Sequence, residues 1–141
     1  MSRPNPKHIL DLASAFYDSC VLFTASDLDV FRALSELEIA DAERLALDLD
    51  CNPHTMRLLL NACVAVGLLE KNGASYSNTP ESAAFLVSGS PGDLSRAIRY
   101  NRDVYDAWGK LPQLIQTGEP VEPPALHLGD DPDRTRTFVH S

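Results

Sequence analysis

The amino-acid sequence predicts a mainly α-helical fold with one small β-hairpin. Two observations favour this class. Several segments carry apolar residues at helical spacing, and Asn72-Gly73 separates two short strand-like runs in "LLEKNGASYSNT", which is the strongest local hairpin signal in a sequence. Because two further helices precede the hairpin, the order of elements is that of a winged helix. We therefore expect a winged-helix-like helical domain in which the hairpin is the wing.

The first predicted helix covers about residues 7–24, with Asn5 as its N-cap and Pro6 in its first turn. Its apolar surface is broad, and a terminal helix with so wide a stripe exposes more than one small core usually covers. Two interpretations follow: the helix packs on its own domain, or a second chain completes it. The residues of the stripe are Ile9, Leu12, Phe16, Cys20 and Phe23, extended sideways by Leu10, Tyr17 and Val21.

Capping residues predict where the following helices begin and end. Ser26 precedes an acidic first turn and is expected to cap a helix that runs to about Leu37. Asp41 is expected to cap the next helix. Asn52 precedes a proline and caps the helix before the hairpin, which Gly67 ends in the left-handed conformation.

After the hairpin, the pattern returns to helices. Thr79 precedes a proline and is expected to begin a short helix that runs through Val87. A long helix begins near Gly92, and the helical pattern that follows it is bent or broken at Pro112. Together these elements predict a first domain over residues 1–117.

The composition changes after residue 117. Residues 118–133 are rich in proline and carboxylates, which is typical of a linker or an irregular covering loop. Residues 134–141, "RTRTFVHS", are too short to fold alone, yet they contain Phe138 and Val139. We expect them to be the start of a helix that the chain does not complete.

Charge and hydropathy limit the classes of partner. The net charge is −8 and the isoelectric point is about 4.8, which opposes binding to polyanions because such binding depends on many Lys and Arg contacts. No uninterrupted apolar run approaches the roughly 18 to 20 residues that span a bilayer, and the N-terminus lacks the apolar region of a signal peptide. We therefore expect a cytoplasmic protein without a membrane partner.

A winged helix suggests DNA binding, but the charges around this one do not. The helix expected in the major groove offers His54, Thr55, Arg57 and Asn61, and residues 41–79 contain three basic and five acidic side chains. An acidic face repels the phosphates that supply most non-specific affinity. We therefore expect no nucleic-acid partner and interpret this unit as a scaffold or a protein-contact surface.

No catalytic motif is present in the sequence. The four histidines have no metal-ligand spacing, and the sequence contains neither a dinucleotide-binding glycine motif nor a phosphate-binding loop. No nucleophile and base can be paired from spacing. The residues therefore predict no catalytic, cofactor-binding or metal-binding position in this chain.

The succession of segments nevertheless resembles one family, over about residues 9–140. "LLLNACVAVGLLEKNGASYSNT", "SPGDL" and "WGKLPQLIQTG" are similar to the N-terminal dimerisation domain of S-adenosylmethionine (SAM)-dependent O-methyltransferases of the plant caffeate and hydroxyindole type, which has bacterial members. In that family a C-terminal Rossmann-like domain binds SAM and carries the catalytic histidine. The glycine-rich donor loop is not present in these 141 residues, so we expect this chain alone to bind no SAM and to be inactive.

The resemblance also implies partners and site residues. Residues 1–117 would form the dimerisation domain, with a homodimer built through the N-terminal helix, and residues 134–141 would lead into the catalytic domain. The acceptor would be a small aromatic or polyketide-like metabolite with a hydroxyl group, although some relatives carry out other reactions, such as hydroxylation. Two alternatives stay open: a winged-helix transcription regulator and a stand-alone protein-interaction module. The candidate pocket residues on the first helix are Phe16 and Tyr17, because a residue near one of them would reach the partner's pocket. Those on the long helix are Tyr100, Asn101, Tyr105 and Trp108, where Trp108 is alternatively a core anchor between domains.

Overall fold

A computed structural model of the chain describes residues 3–121. The predicted helix start at 134–141 and most of the predicted linker lie outside the described residues. The described part is mainly helical and contains a small three-stranded antiparallel sheet. In chain order the elements are α1 Lys7–Ser14, α2 Phe16–Asp27, α3 Val30–Leu37, β1 Ala40–Asp41, α4 Ala42–Leu49, α5 Pro53–Ala65, β2 Leu69–Asn72, β3 Ser75–Asn78, α6 Pro80–Phe85, α7 Ser95–Gly109 and α8 Leu111–Thr117.

Helices α1 and α2 are nearly continuous. At their junction the Ala15 N–H donates to the Leu12 carbonyl at 3.5 Å. This bond joins residues three apart, as in a 3₁₀-helix, whereas an α-helix joins residues four apart. The predicted cap at Ser26 is wrong, because α2 continues past that residue. The chain turns instead at Asp29, whose φ of 65° is a left-handed conformation that aspartate tolerates. Helix α3 therefore begins later than predicted, with Val30 in the core.

The caps predicted for α4 and α5 are confirmed. The Asp41 side chain accepts a hydrogen bond from the Arg44 N–H at 2.8 Å, and the Asn52 side chain accepts one from the Thr55 N–H at 3.1 Å. Gly67 ends the second of these helices with a φ of +84°. These two helices pack against each other, and their geometry follows from local signals in the sequence.

The hairpin is confirmed, but its turn is one residue later than predicted. Asn72 pairs with Ser75, so Gly73 and Ala74 form the two-residue loop. Gly73 has a φ of +62°, as the first central residue of a type II′ turn requires. The third strand, β1, pairs Ala40 with Tyr76 and was not predicted, because two residues are too few to show a periodic pattern.

The core lies between α2–α5 and the sheet. Phe31, Leu45, Leu60 and Tyr76 are among its largest buried side chains. By contrast, α1, α7 and α8 contain no fully buried residue. Large apolar side chains such as Leu12, Trp108 and Ile115 are therefore exposed at the surface of the described domain.

The helical stretch Lys7–Asp27 is long and apolar enough to cross a membrane by length and composition, with a mean hydropathy of 1.2 and 6% of its most apolar window buried. The sequence expectation considered only uninterrupted apolar runs and therefore missed it, since Asp11 and Asp18 interrupt this one. The mostly buried core helix of a soluble protein and a signal sequence near an N-terminus meet the same criteria. Ala25, near its end, is in the core, and Val21 and Leu22 pack against that core.

Candidate functional site

An open groove of about 860 Å³ lies between α2 and α7. We call it the aromatic groove. Its volume lies within the range of small-molecule sites. Four of its lining residues carry aromatic rings, and the lining as a whole consists of Phe16, Ser19, Phe23, Asn101, Val104, Tyr105, Asp106, Trp108, Gly109 and Lys110.

Helical spacing positions these side chains. Phe16, Ser19 and Phe23 are three and four residues apart along α2, so they share one face. Asn101, Tyr105 and Trp108 have the same spacing along α7. Since the two helices pack against each other, the two faces form opposite walls.

An ion pair holds α7 against α2. The Arg102 Nε donates to the Asp27 Oδ2 at 2.9 Å, and Asp103 lies 3.6 Å from the same guanidinium. The hydrogen bond from Arg102 to Asp27 raises the pKa of Arg102, so the guanidinium stays charged. Both side chains are largely exposed, and such a pair contributes about 0 to 1 kcal/mol. It helps to set the register of the two walls.

Asp93 begins α7. Its carboxylate accepts hydrogen bonds from the Gly89 N–H at 3.0 Å and from the Ser95 N–H at 2.8 Å. Burial alone would raise the pKa of Asp93, but these hydrogen bonds together lower it. The charged carboxylate therefore fixes the point where the helix starts.

Tyr105 divides the aromatic groove from a smaller neighbouring pocket. Its ring lies edge-on to Phe23, with centroids 6.5 Å apart and an interplanar angle of 72°. A hydrogen bond with Cys20 raises the pKa of Tyr105, and the nearby Asp106 raises it further. The phenol therefore stays neutral at physiological pH. The smaller pocket, of about 250 Å³, is lined by Cys20, Phe23, Thr24, Asp27, Arg102, Tyr105 and Asp106, and we call it the polar pocket.

Four of the six predicted pocket residues lie together in the aromatic groove: Phe16, Asn101, Tyr105 and Trp108. Tyr17 contacts the outer side of Phe16, with ring centroids 4.7 Å apart, but does not line the groove. Tyr100 is half-buried on α7 and is also outside the lining. Trp108 is 68% exposed, so it is not a core side chain of the described domain, and its alternative role between domains stays a prediction.

The residues of the lining that sequence reasoning did not assign to the pocket are Ser19, Phe23, Val104, Asp106, Gly109 and Lys110. Ser19 lies three residues after Phe16, so helical spacing would have found it. Asp106 and Lys110 differ from the aromatic neighbours in chemistry, and only the position of α7 beside α2 brings them to the groove. In the part of the chain that the structure describes, no group of three or more His, Cys, Asp or Glu residues could hold a metal ion.

Arg57 and Asn61 of α5 make contacts within the domain. Arg57 pairs with Glu43. The Asn61 Oδ1 accepts hydrogen bonds from the Tyr76 hydroxyl at 2.5 Å and from the Lys71 Nζ at 2.9 Å. Lys71 also lies over the Tyr76 ring, 5.2 Å from its centroid. Arg57, Asn61 and Lys71, which would contact bases or phosphates in a DNA-binding winged helix, are thus used in internal contacts.

The chain belongs to the O-methyltransferase dimerisation domain family, whose pattern matches residues 10–88. The predicted family is thereby confirmed. The chain is 36% identical over 132 residues to the acetylserotonin O-methyltransferase of Mus musculus, covering 88% of this chain and 34% of that protein. It is 32% identical over 140 residues to the 3-hydroxy-5-methyl-1-naphthoate 3-O-methyltransferase of Streptomyces sahachiroi, covering 94% of this chain and 39% of that protein.

Solved structures share the fold. Human N-acetylserotonin methyltransferase, in a structure in complex with SAM, is 28% identical with a TM-score of 0.78, covering 99% of this chain and 45% of that chain. An O-methyltransferase family protein from Burkholderia thailandensis is 17% identical with a TM-score of 0.84, covering 97% and 41%, and shows the likeness of fold alone. The chain therefore spans between a third and a half of the length of the relatives described here.

Proposed function

We propose that this chain supplies the dimerisation and acceptor-binding part of a SAM-dependent O-methyltransferase acting on a hydroxyl of an aromatic or polyketide-like metabolite. The proposal depends on one observation: this chain, which belongs to the family, has the aromatic groove between α2 and α7. Aromatic walls favour a flat ring system by offset or edge-on stacking. The names of the mouse and Streptomyces relatives specify a hydroxyindole derivative and a hydroxynaphthoate, which are flat aromatic acceptors.

The groove suits an acceptor and not the methyl donor. Methyl transfer needs a base that removes the hydroxyl proton and a methyl group held in line with the oxygen. A nucleotide-like donor is typically held by a glycine-rich loop with an acidic residue downstream, and Gly109 is the single glycine in this lining. We therefore assign to this domain the shaping of the acceptor site and the exclusion of water, and place donor binding and the catalytic base outside residues 1–117. Residues 118–133 would link the two parts.

A homodimer through the N-terminal helix belongs to the same proposal. The side chains of Ile9, Leu10, Leu12 and Tyr17 are exposed on α1 and the start of α2. A second copy of the chain would cover this stripe and bring Tyr17 beside the partner's groove, while Phe16 lines the groove of its own chain. If a second copy covers this stripe, the apolar composition of residues 7–27 is explained by the dimer interface, and no bilayer is needed to explain it.

We further propose that the hairpin and helices form a winged-helix scaffold used for packing, in a cytoplasmic protein that binds neither DNA nor membranes. The internal contacts of Arg57, Asn61 and Lys71 support this, as does the net charge of −8. Binding to duplex DNA that weakens steeply with salt would contradict it, as would co-flotation of the chain with lipid vesicles.

The single tryptophan allows a direct test of the acceptor groove. Trp108 is the one tryptophan of the sequence, so its indole N–H gives one identifiable cross-peak in a 1H–15N NMR spectrum of the 141-residue chain. We expect 2-naphthol to shift this peak saturably, whereas its saturated counterpart, 2-decalol, binds several-fold more weakly because it cannot stack. SAM should leave the peak unmoved. An unmoved peak with 2-naphthol would contradict the proposed acceptor site.

A further inference from the structure

Asp106 borders both the aromatic groove and the polar pocket. Among residues 3–121 its carboxylate has no ion pair and no hydrogen bond within the domain. The nearest arginine along the helix, Arg102, is one turn away and is already paired with Asp27 and Asp103. A free carboxylate therefore lies at the boundary between an apolar site and a polar one.

The charges of the two sites differ. In the polar pocket, Arg102 neutralises Asp27, so Asp106 leaves one negative charge without a counterpart. The aromatic groove contains a cation, Lys110, but this residue does not line the polar pocket. It follows α7 directly, where the carbonyl end of the helix dipole favours a cation. The polar pocket is therefore complementary to a positive group.

We propose that the acceptor is a planar aromatic compound with a short arm that ends in a protonated amine. Its rings lie in the aromatic groove, the arm passes Tyr105, and the ammonium group pairs with Asp106 at the polar pocket. This inference rests on the proposed acceptor function. Charge-assisted hydrogen bonds to a carboxylate are about twice as strong as neutral ones, and the rings of Tyr105 and Phe23 at the boundary add an attraction for a cation. Asp106 is thus a specificity-determining residue.

The test uses three naphthols that differ only at the end of a two-carbon arm: an amine, a hydroxyl or a carboxylate. Each is titrated into the 15N-labelled 141-residue chain, and the Kd is read from the indole cross-peak of Trp108. We expect the amine to bind up to about fivefold more tightly than the hydroxyl, as a partly exposed ion pair provides. The carboxylate should bind most weakly, since Asp106 repels it.

Two variants with the same change in net charge make the test specific. Asp106→Asn should remove the preference for the amine over the hydroxyl while the naphthol ring still binds. Glu70→Gln removes an exposed carboxylate on β2, away from both sites, and should keep the preference. A similar loss in both variants would indicate a general charge effect and overturn the inference.

The remaining outcomes separate this inference from the proposed function. Equal Kd values for the three arms would overturn the role of Asp106 while still supporting an aromatic acceptor site. Tightest binding of the carboxylate would point to Lys110 and also overturn it. An indole peak that no naphthol moves would remove the acceptor site itself, and the inference with it.

Discussion

The three cysteines differ in burial, and burial determines how readily a thiol ionises. Cys63 is fully buried in the core, and burial raises the pKa of its thiol from 9.0 to about 11. Cys20 and Cys51 are half-buried. The thiolate is the reactive form of cysteine, so location in the fold determines which thiol reacts.

We expect alkylation by iodoacetamide at pH 8 to modify Cys20 and Cys51 well before Cys63. Mass spectrometry of digested samples over time measures the order. Labelling of all three at one rate would contradict the burial of Cys63.

The raised pKa of Cys63 also predicts that the free energy of unfolding falls as pH rises from about 9 towards 11, because the unfolded state loses the thiol proton first.

Asp93 gives a pH dependence of the opposite kind. The pKa of this carboxyl lies below its usual 3.8, so it stabilises the folded state above that value, and the stabilisation is lost as pH falls through the folded-state pKa. We expect Asp93→Ala to lower the free energy of unfolding by about 1 kcal/mol at pH 7, and by less near pH 3, in urea titrations. Asp93→Asn keeps an acceptor without the charge and should show a smaller loss with weaker acid dependence.

Among the elements, the contact between α5 and the sheet matters most for the shape of the domain. Tyr76 on β3 is 1% exposed, and its hydroxyl donates to Asn61 on α5. This hydrogen bond joins the middle strand of the sheet to the helix that a DNA-binding winged helix would offer to the major groove. It uses Asn61 for stability instead of base recognition.

We therefore expect Tyr76→Phe to lower the free energy of unfolding by about 1 kcal/mol, because Asn61 loses one donor. Tyr17→Phe is the matched control, since Tyr17 is exposed on α2, and it should change the free energy of unfolding little. Urea denaturation followed by circular dichroism measures both. Equal effects of the two substitutions would show that the Asn61 contact is not specific.

At the scale of the whole molecule, the apolar stripe on α1 and α2 decides the assembly that we propose. Leu12 is 63% exposed there, while Leu47 on α4 is 79% exposed away from that stripe. The two leucines are similar in exposure and differ in location. They therefore distinguish an interface through the N-terminal helix from general surface hydrophobicity.

We expect sedimentation to show a dimer of the 141-residue chain at micromolar concentration. Leu12→Glu should raise the dimer Kd about a hundredfold or more, since each of two copies loses a buried leucine worth about 1.5 to 3 kcal/mol. Leu47→Glu should leave the Kd nearly unchanged. A monomer at all micromolar concentrations would contradict the proposed dimer, and an equal effect of both substitutions would contradict its location.

Local hydrogen bonding made much of the fold predictable. The caps at Asp41 and Asn52 and the left-handed Gly67 were each predicted within a residue, because a capping side chain bonds to backbone only two or three residues away. Ser26 has the same chemistry, but Ala25 and Val30 on either side of it are in the core. Burial there favours continuing α2 and turning at Asp29 instead.

The sequence by itself therefore determined most of the helices, the hairpin and the family to which the chain belongs. Only the tertiary structure decided that Ala40 pairs with Tyr76 in a third strand, and that Asp106 lies between two sites. These features depend on contacts between residues far apart in the chain, such as Asp27 and Arg102, which are 75 residues apart. The energy of such contacts exists only once the chain has folded, so no local pattern records them.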